Sequence, residues 1–272
     1  PKDIFRNRKN SKGIDISEME NLELINKKIN EYKNKSIHAV SIYNNRSEDK
    51  ASKRVITSIA DNSEIGSVAF DDIDMLLKNI DSNCSSDWKN ISVKNRADIL
   101  INISNQIESD PYELIYYLMN EAGKTIQNSI DEIREAVDFL RYYSNQMIGI
   151  EENECELEGP TGESNKLSYS AKGHFLCISP WNFPVAILIG QISAALITGN
   201  KVTVKPSEHT SILGYIVVKK FHENGIPLDA LQLVLGDGKY GDALSRIRHL
   251  NGVAFTGSLR TAKKIQNNLN QN

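Results

Sequence analysis

The sequence predicts an α/β protein in which a doubly wound parallel sheet follows a helical N-terminal region. Three observations carry that expectation. Across residues 173–272 short apolar runs alternate with helical stretches of about 10–15 residues, the mark of parallel βαβ units. From Asp71 to Gly149 apolar residues recur at helical spacing throughout. Helix-stop signals, Gly199-Asn200 and Gly225 with Pro227 behind it, close two of the later helices.

Residues 1–60 are rich in Asn, Lys, Ser and Glu and read as a polar linker or arm. One amphipathic helix is expected within it, over Ser17 to Tyr32, with Met19, Leu22, Ile25 and Ile29 inward. Residues 61–150 should be helical. Asp71 to Asn79 buries Ile73, Leu76 and Leu77, and Val93 to Glu108 buries Ile99, Leu100, Ile103 and Ile107. Pro111 opens a helix through Met119. Asp131 to Met147 buries Ile133, Val137, Leu140 and Tyr143/Ser144, which leaves Glu132, Glu135 and Arg141 for solvent, for salt bridges or for a cleft. A solvated face is the usual fate of such charges. Residues 151–172 break the pattern with Gly159, Pro160 and Gly162, then alternate at Leu167, Tyr169 and Ala171. That segment reads as a surface hairpin or an arm that pairs with a neighbouring subunit.

In residues 173–272 the strands are expected at 175–178, 201–205, 231–235 and 252–255. Helices follow over 184–198 and 211–224, from the Gly-rich turn to about His249, and over 258–270. Pro184 suits a first helical turn, where its missing N–H costs nothing.

Composition bounds the function. With 272 residues, 40% hydrophobic and 25% charged, the chain supports a sizeable core. A net charge of −3 gives no electrostatic case for nucleic acid or an anionic membrane. Val185 to Thr198, the longest apolar stretch, falls short of the roughly 18–20 residues that span a bilayer. Cys84, Cys155 and Cys177 are far apart without C-x-x-C spacing. This argues against a metal site or a disulfide framework and suits a reducing cytosol. A first residue of Pro, with no leader-like stretch after it, suggests a soluble cytoplasmic chain cut from something longer.

Ligands of open α/β sheets sit beyond the carboxyl ends of the strands, and three loops leave those ends here. The first is Ser179-Pro180-Trp181-Asn182-Phe183-Pro184. An Asn182 amide aimed into a cleft can hold a developing oxyanion; the alternative is an Asn that bonds its own turn. The second is Lys205-Pro206-Ser207-Glu208, whose ammonium and carboxylate suit a ribose diol and whose carboxylate favours NAD over NADP. The alternative is a surface ion pair. The third is Phe255-Thr256-Gly257-Ser258, which presents free N–H groups and a Ser hydroxyl to a pyrophosphate, or is an ordinary Ser N-cap. Gly236-Asp237-Gly238-Lys239-Tyr240-Gly241 fits G-x-G-x-x-G but comes third among the βα turns, with no carboxylate ending the next strand. It reads as backbone for close cofactor approach or as turn chemistry. No nucleophile emerges. Cys177 lies within a strand, Cys84 and Cys155 sit in polar loops, and the five His are scattered.

Together these residues carry a resemblance. ISPWNFPVAILIGQISAALITGNKVTVKPSEHT, ENGIPLDALQLVLGDG and GVAFTGS resemble the NAD-binding half of the aldehyde dehydrogenase superfamily. EAGKTIQNSIDEIREAVDFLRYYSNQM and LEGPTGESNKLSYSAKGHF resemble, more narrowly, the glutamate-semialdehyde (pyrroline-5-carboxylate) dehydrogenase part of bifunctional proline-utilisation proteins. NSKGIDISEMENL is similar to the linker after their proline dehydrogenase domain. The resemblance covers the whole chain and is most specific over 111–262. It implies a Rossmann-like NAD-binding domain, with Asn182 as the oxyanion-hole amide. Pro180, Trp181, Lys205, Glu208, Gly238, Gly241, Gly257 and Ser258 would line the NAD site, and Glu135 would hold the substrate amine. The implied reaction is oxidation of L-glutamate γ-semialdehyde to L-glutamate in proline degradation, by thiolate attack, hydride transfer and thioester hydrolysis. The resemblance also implies that the general-base Glu and nucleophilic Cys lie beyond the last helix. On that reading the isolated chain is inactive, needs the missing catalytic domain from the same or another chain, and joins a homo-oligomer. Lys172 and His174 depart from the usual Arg and apolar residue. The other readings are a catalytically dead NAD-binding or assembly fragment and a related dehydrogenase with another substrate.

Overall fold

Strands that read as continuous apolar runs must be covered on both faces, and helices do this on either side of the main sheet. The computed structural model describes residues 4–5, 8–46, 52–82, 86–152 and 156–271. In order the elements are α1 (Met19–Asn30), β1 (Ile37–Ala39), β2 (Ser52–Thr57), β3 (Glu64–Phe70), α2 (Ile73–Ser82), α3 (Val93–Ser109), α4 (Tyr112–Asn120), α5 (Ile126–Glu152), β4 (Glu156–Leu157), β5 (Asn165–Lys166), β6 (His174–Ile178), α6 (Ala186–Ile197), β7 (Lys201–Lys205), α7 (Ser211–Glu223), β8 (Leu231–Leu233), α8 (Gly238–Leu244), β9 (Leu250–Phe255) and α9 (Leu259–Leu269).

The main sheet is parallel, in the order β8-β7-β6-β9. Side chains on β6 alternate between its two faces. Cys177 joins the core formed by α3–α7, whereas Leu176 and Ile178 join a second core with Leu76, Ile80, Leu244 and Ile265 from the helices opposite. The doubly wound expectation is met. Helix α6 is largely apolar and buried; it has no side-chain cap at its start, and at its end Thr198 Oγ1 donates to Ala194 O and Ala195 O at 3.0 Å each. Its last carbonyls also take donors from afar: Trp88 Nε1 donates to Leu196 O at 2.8 Å, beside the local Gly199 N at 2.9 Å, and Arg96 Nε donates to Ile197 O at 2.9 Å.

Several expectations need correction. Residues 37–70 hold three strands that composition hides, in the order β1-β3-β2: β1 has only three residues, β2 is mostly exposed and polar, and the buried β3 interrupts its apolar run with Gly66 and Ser67. Ile42 joins that small sheet to Leu233 of β8 through paired backbone bonds of 2.8 Å. Residues 8–14, part of the supposed loose arm, are tied down: Ser11 bonds Asp138 and the Lys12 N–H donates to Glu108. Met19 is exposed, while Ile25 fills the core beneath α1. Leu167 and Tyr169 are exposed and lie outside any strand; the pairing there is the short β4–β5 hairpin. Of the fates open to the α5 charges, solvent is ruled out for Glu132 and Arg141: both are buried in salt bridges, with Lys124 and Glu108. Arg141 makes a bidentate pair with Glu108, at 3.2 and 2.8 Å. Cys84 and Cys155 lie outside the described residues.

Candidate active site

Strand register sets the site. Ile178 at the end of β6 pairs with Lys205 at the end of β7 and with Phe255 at the end of β9. The three expected loops therefore leave the sheet at one level, side by side. Backbone bonds from Ser179 N to Lys205 O (3.3 Å) and from Thr256 N to Ile178 O (3.1 Å) carry the ladder into them. Between them lies an open cleft of about 390 Å³. Pro180, Trp181, Lys205, Glu208, Gly238, Gly241, Gly257 and Ser258 all line it.

The local alternatives separate at this point. Lys205 is 4% exposed, its Nζ donates to Pro206 O at 3.0 Å, and no contact ion pair joins it to Glu208. Burial pulls its pKa down, while Glu208 and Asp237 oppose that. The Glu208 carboxylate has no hydrogen-bond or ion-pair partner among the described residues, so both groups of the expected diol clamp have free capacity. Ser258 is an N-cap as well as a cleft residue: its Oγ accepts from Thr261 N at 3.2 Å. In the Gly-rich turn, Asp237 caps α8 by accepting from Lys239 N at 2.8 Å. Gly236 leaves no room for a Cβ because the Tyr240 ring lies against it. Gly241 packs beneath the Lys205 stem.

Asn182 follows the cleft's Trp181 wall, exposed, and its amide makes no hydrogen bond with any described residue. It does not serve its own turn. Beyond it, helix α6 begins without a side-chain cap, and α5 supplies one. Glu132 Oε1 accepts from Val185 N at 2.7 Å and from Ala186 N at 3.1 Å. Lys124 Nζ lies 2.6 Å from Glu132 Oε2 and 4.0 Å from the centroid of the Phe183 ring. Glu135, one turn further along α5, stays exposed. Partial burial raises its carboxyl pKa, the Glu132 charge adds to that, and Lys124 opposes it. Helix α7 is served in the same way by Glu121, whose two oxygens accept from Ile212 N and Leu213 N at 2.8 Å each.

Sequence reasoning missed several cleft residues. Thr261, Lys264, Ile265 and Asn268 repeat at helical spacing after Ser258 and form one wall; that period was readable. Ser179 was not singled out. The residue is 3% exposed and lines the cleft, and its hydroxyl oxygen is buried without a partner among the described residues. An orphaned buried donor beside a lysine with free N–H groups and a free carboxylate fits a nucleotide with diol and phosphate oxygens. Cys177 is sealed in β6, and burial pushes its thiol up to about 12, so it is no nucleophile. Among the described residues no group of His, Cys, Asp and Glu is placed to hold a metal ion, and no helix is long and apolar enough to cross a membrane.

Comparison with known proteins supplies the family. The model of the aldehyde dehydrogenase family matches residues 47–272. The bifunctional protein PutA of Salmonella typhimurium is 39% identical over 183 residues, covering 67% of this chain and 13% of its own length. The 1-pyrroline-5-carboxylate dehydrogenase of Staphylococcus haemolyticus is 31% identical over 264 residues, covering 94% of this chain and 51% of its own. Among solved structures, a 1-pyrroline-5-carboxylate dehydrogenase from Thermus with bound NAD superimposes with a TM-score of 0.88 at 25% identity, over 95% of this chain and 51% of that one. A mutant of Bradyrhizobium japonicum PutA gives 0.83 at 32% identity, over 100% of this chain and 25% of that one. The match thus spans about half the length of the staphylococcal dehydrogenases and 11–13% of the length of the PutA proteins. Matched from residue 47 onward, and superimposable on solved members, it belongs to the aldehyde dehydrogenase family.

Proposed function

We propose that this chain provides the cofactor cleft and the oxyanion amide of an NAD-dependent dehydrogenase acting in proline degradation. The reaction is oxidation of L-glutamate γ-semialdehyde, the opened form of 1-pyrroline-5-carboxylate, to L-glutamate. The observation that carries the reading is the common level of the β6, β7 and β9 ends, which gathers the eight expected cofactor residues around one cleft. In this reading Lys205 donates to a ribose diol and Glu208 accepts from it. The Glu208 carboxylate repels a 2′-phosphate, which selects NAD over NADP. Ser179, Ser258 and the first N–H groups of α9 face phosphate oxygens. Bound there, NAD supplies the hydride acceptor. The two donors of Asn182 serve the aldehyde oxygen as it gains charge, and the Glu135 carboxylate holds the substrate's ammonium. The attacking thiolate is not Cys177. Exposed Leu157, Leu167 and Tyr169 on and beside the β4–β5 hairpin support a homo-oligomer, and the three cysteines without disulfide spacing suit the cytoplasm.

The test has two parts. Trp88 is buried and Trp181 lines the cleft 59% exposed, so NAD should quench tryptophan emission saturably, and Trp181→Phe should remove that response. In the protein carrying this chain, glutamate semialdehyde and NAD should yield NADH, and Asn182→Ala should lower turnover on the order of 100–1000-fold. Absence of quenching, or unchanged turnover in Asn182→Ala, refutes the reading.

A further inference from the structure

The hexapeptide that carries Asn182 is held on both sides of that residue, while the Asn182 amide itself has no hydrogen bond to any described residue. Before it, the β6–β7 ladder continues through Ser179 N to Lys205 O. After it, the backbone is fixed by a side chain from another element, because Glu132 takes the Val185 and Ala186 N–H groups. Neither N–H has a helical acceptor, since both fall in the first turn of α6, and Val185 supplies no cap. A buried carboxylate of 1% exposure needs a countercharge. Lys124 provides it at 2.6 Å and, from the same ammonium, covers the ring of Phe183 next to Asn182. One ion pair therefore grips three of the four residues that follow Asn182, while the Asn182 amide has no bond of its own to fix it.

We propose that the Lys124–Glu132 ion pair is a positioning device for the Asn182 amide, holding the turn so that the amide stands in its working place without a direct partner. Both are positioning residues: they act through Phe183, Val185 and Ala186 and touch no reactant. The catalytic consequence rests on the dehydrogenase reading above; the mechanical one does not. A displacement of about 1 Å in such a turn lowers turnover on the order of 100-fold.

The mechanical claim is read by hydrogen exchange. Lys124→Met and Glu132→Gln should speed exchange of the amides over 183–187 about tenfold, with α7 and β7 unchanged and Lys124→Arg close to the parent. Equal exchange in parent and variants overturns the proposal, as does a uniform rise across the whole chain. The catalytic claim is read by a double-mutant cycle in the protein carrying this chain. Lys124→Met should lower kcat about 10–100-fold while NAD affinity, followed by Trp181 emission, stays within about threefold. In an Asn182→Ala background the same substitution should cost almost nothing further. An equal loss in both backgrounds overturns the inference. If the parent forms no NADH at all, the dehydrogenase reading falls, and the exchange data still decide the mechanical claim.

Discussion

Glu121 offers a test of how this fold holds its helices, because one carboxyl carries two opposed demands. Both of its oxygens accept N–H groups of α7 at 2.8 Å, which favours the anion. Burial disfavours the anion and is the larger effect, so the pKa rises to about 8 from an ordinary carboxyl value. The folded state then keeps a proton that the unfolded chain has released. Stability from this group is present below its unfolded pKa and is lost as pH rises through about 8. At about 1.4 kcal/mol for each tenfold change in proton affinity, the loss has a ceiling of about 5 kcal/mol. Water entering around the carboxylate reduces it, and about 2–4 kcal/mol is expected. Glu121→Gln keeps the shape of the protonated acid and does not titrate. With a urea m-value of about 2–3 kcal/mol/M, the gap between parent and variant midpoints should change by about 1–2 M between pH 5 and pH 8.5, in favour of the variant at high pH. The comparison cancels His174 and His222, which both proteins share. A constant gap across that window refutes the argument and shows that the helix N–H groups, not burial, set the ionisation of Glu121.

The other predictions concern the sheet and the buried helix. His174 in β6 is 3% exposed, and its Nε2 lies 2.8 Å from Thr203 Oγ1. Burial, with Lys201 adding to it, pushes its pKa down to about 3. The neutral ring's contribution is thus complete above its unfolded pKa of about 6.5 and is lost as pH falls toward 3. Melting curves should show an acid-side decline that His174→Gln weakens, and identical declines in both proteins would contradict the assignment. Trp88→Phe removes one of the donors to Leu196 O, which keeps the Gly199 N–H at 2.9 Å, while retaining most of the apolar volume. It should cost about 0.5–1.5 kcal/mol and lower the melting temperature, and an unchanged Tm would mean that the indole bond adds nothing to the one from Gly199 N.

How much of this was legible beforehand follows from the range of each interaction. Strands β6, β7 and β9 and helices α6, α7 and α9 were readable because their signals are local: apolar runs, a proline at a helix start, glycines at helix ends. Strands β1 and β2 were hidden among Lys, Ser and Asn because few of their residues are apolar, and the buried β3 was hidden because Gly66 and Ser67 interrupt its apolar run. Glu132 looked like any other helix charge. Its partners are Val185 and Ala186, 53 and 54 positions away, and Glu121 reaches 91 positions to Ile212.

The sequence by itself determined the element types, the parallel alternation and the three chemistry-bearing loops, because periodicity and turn chemistry act over a few residues. Only the tertiary structure decided that those loops share one level, that Asn182 is free of its own turn, and that carboxylates from α5 and from the end of α4 complete helices α6 and α7. The physical reason is that register and capping across elements depend on which backbone groups burial leaves unpaired, and that is settled when the layers pack.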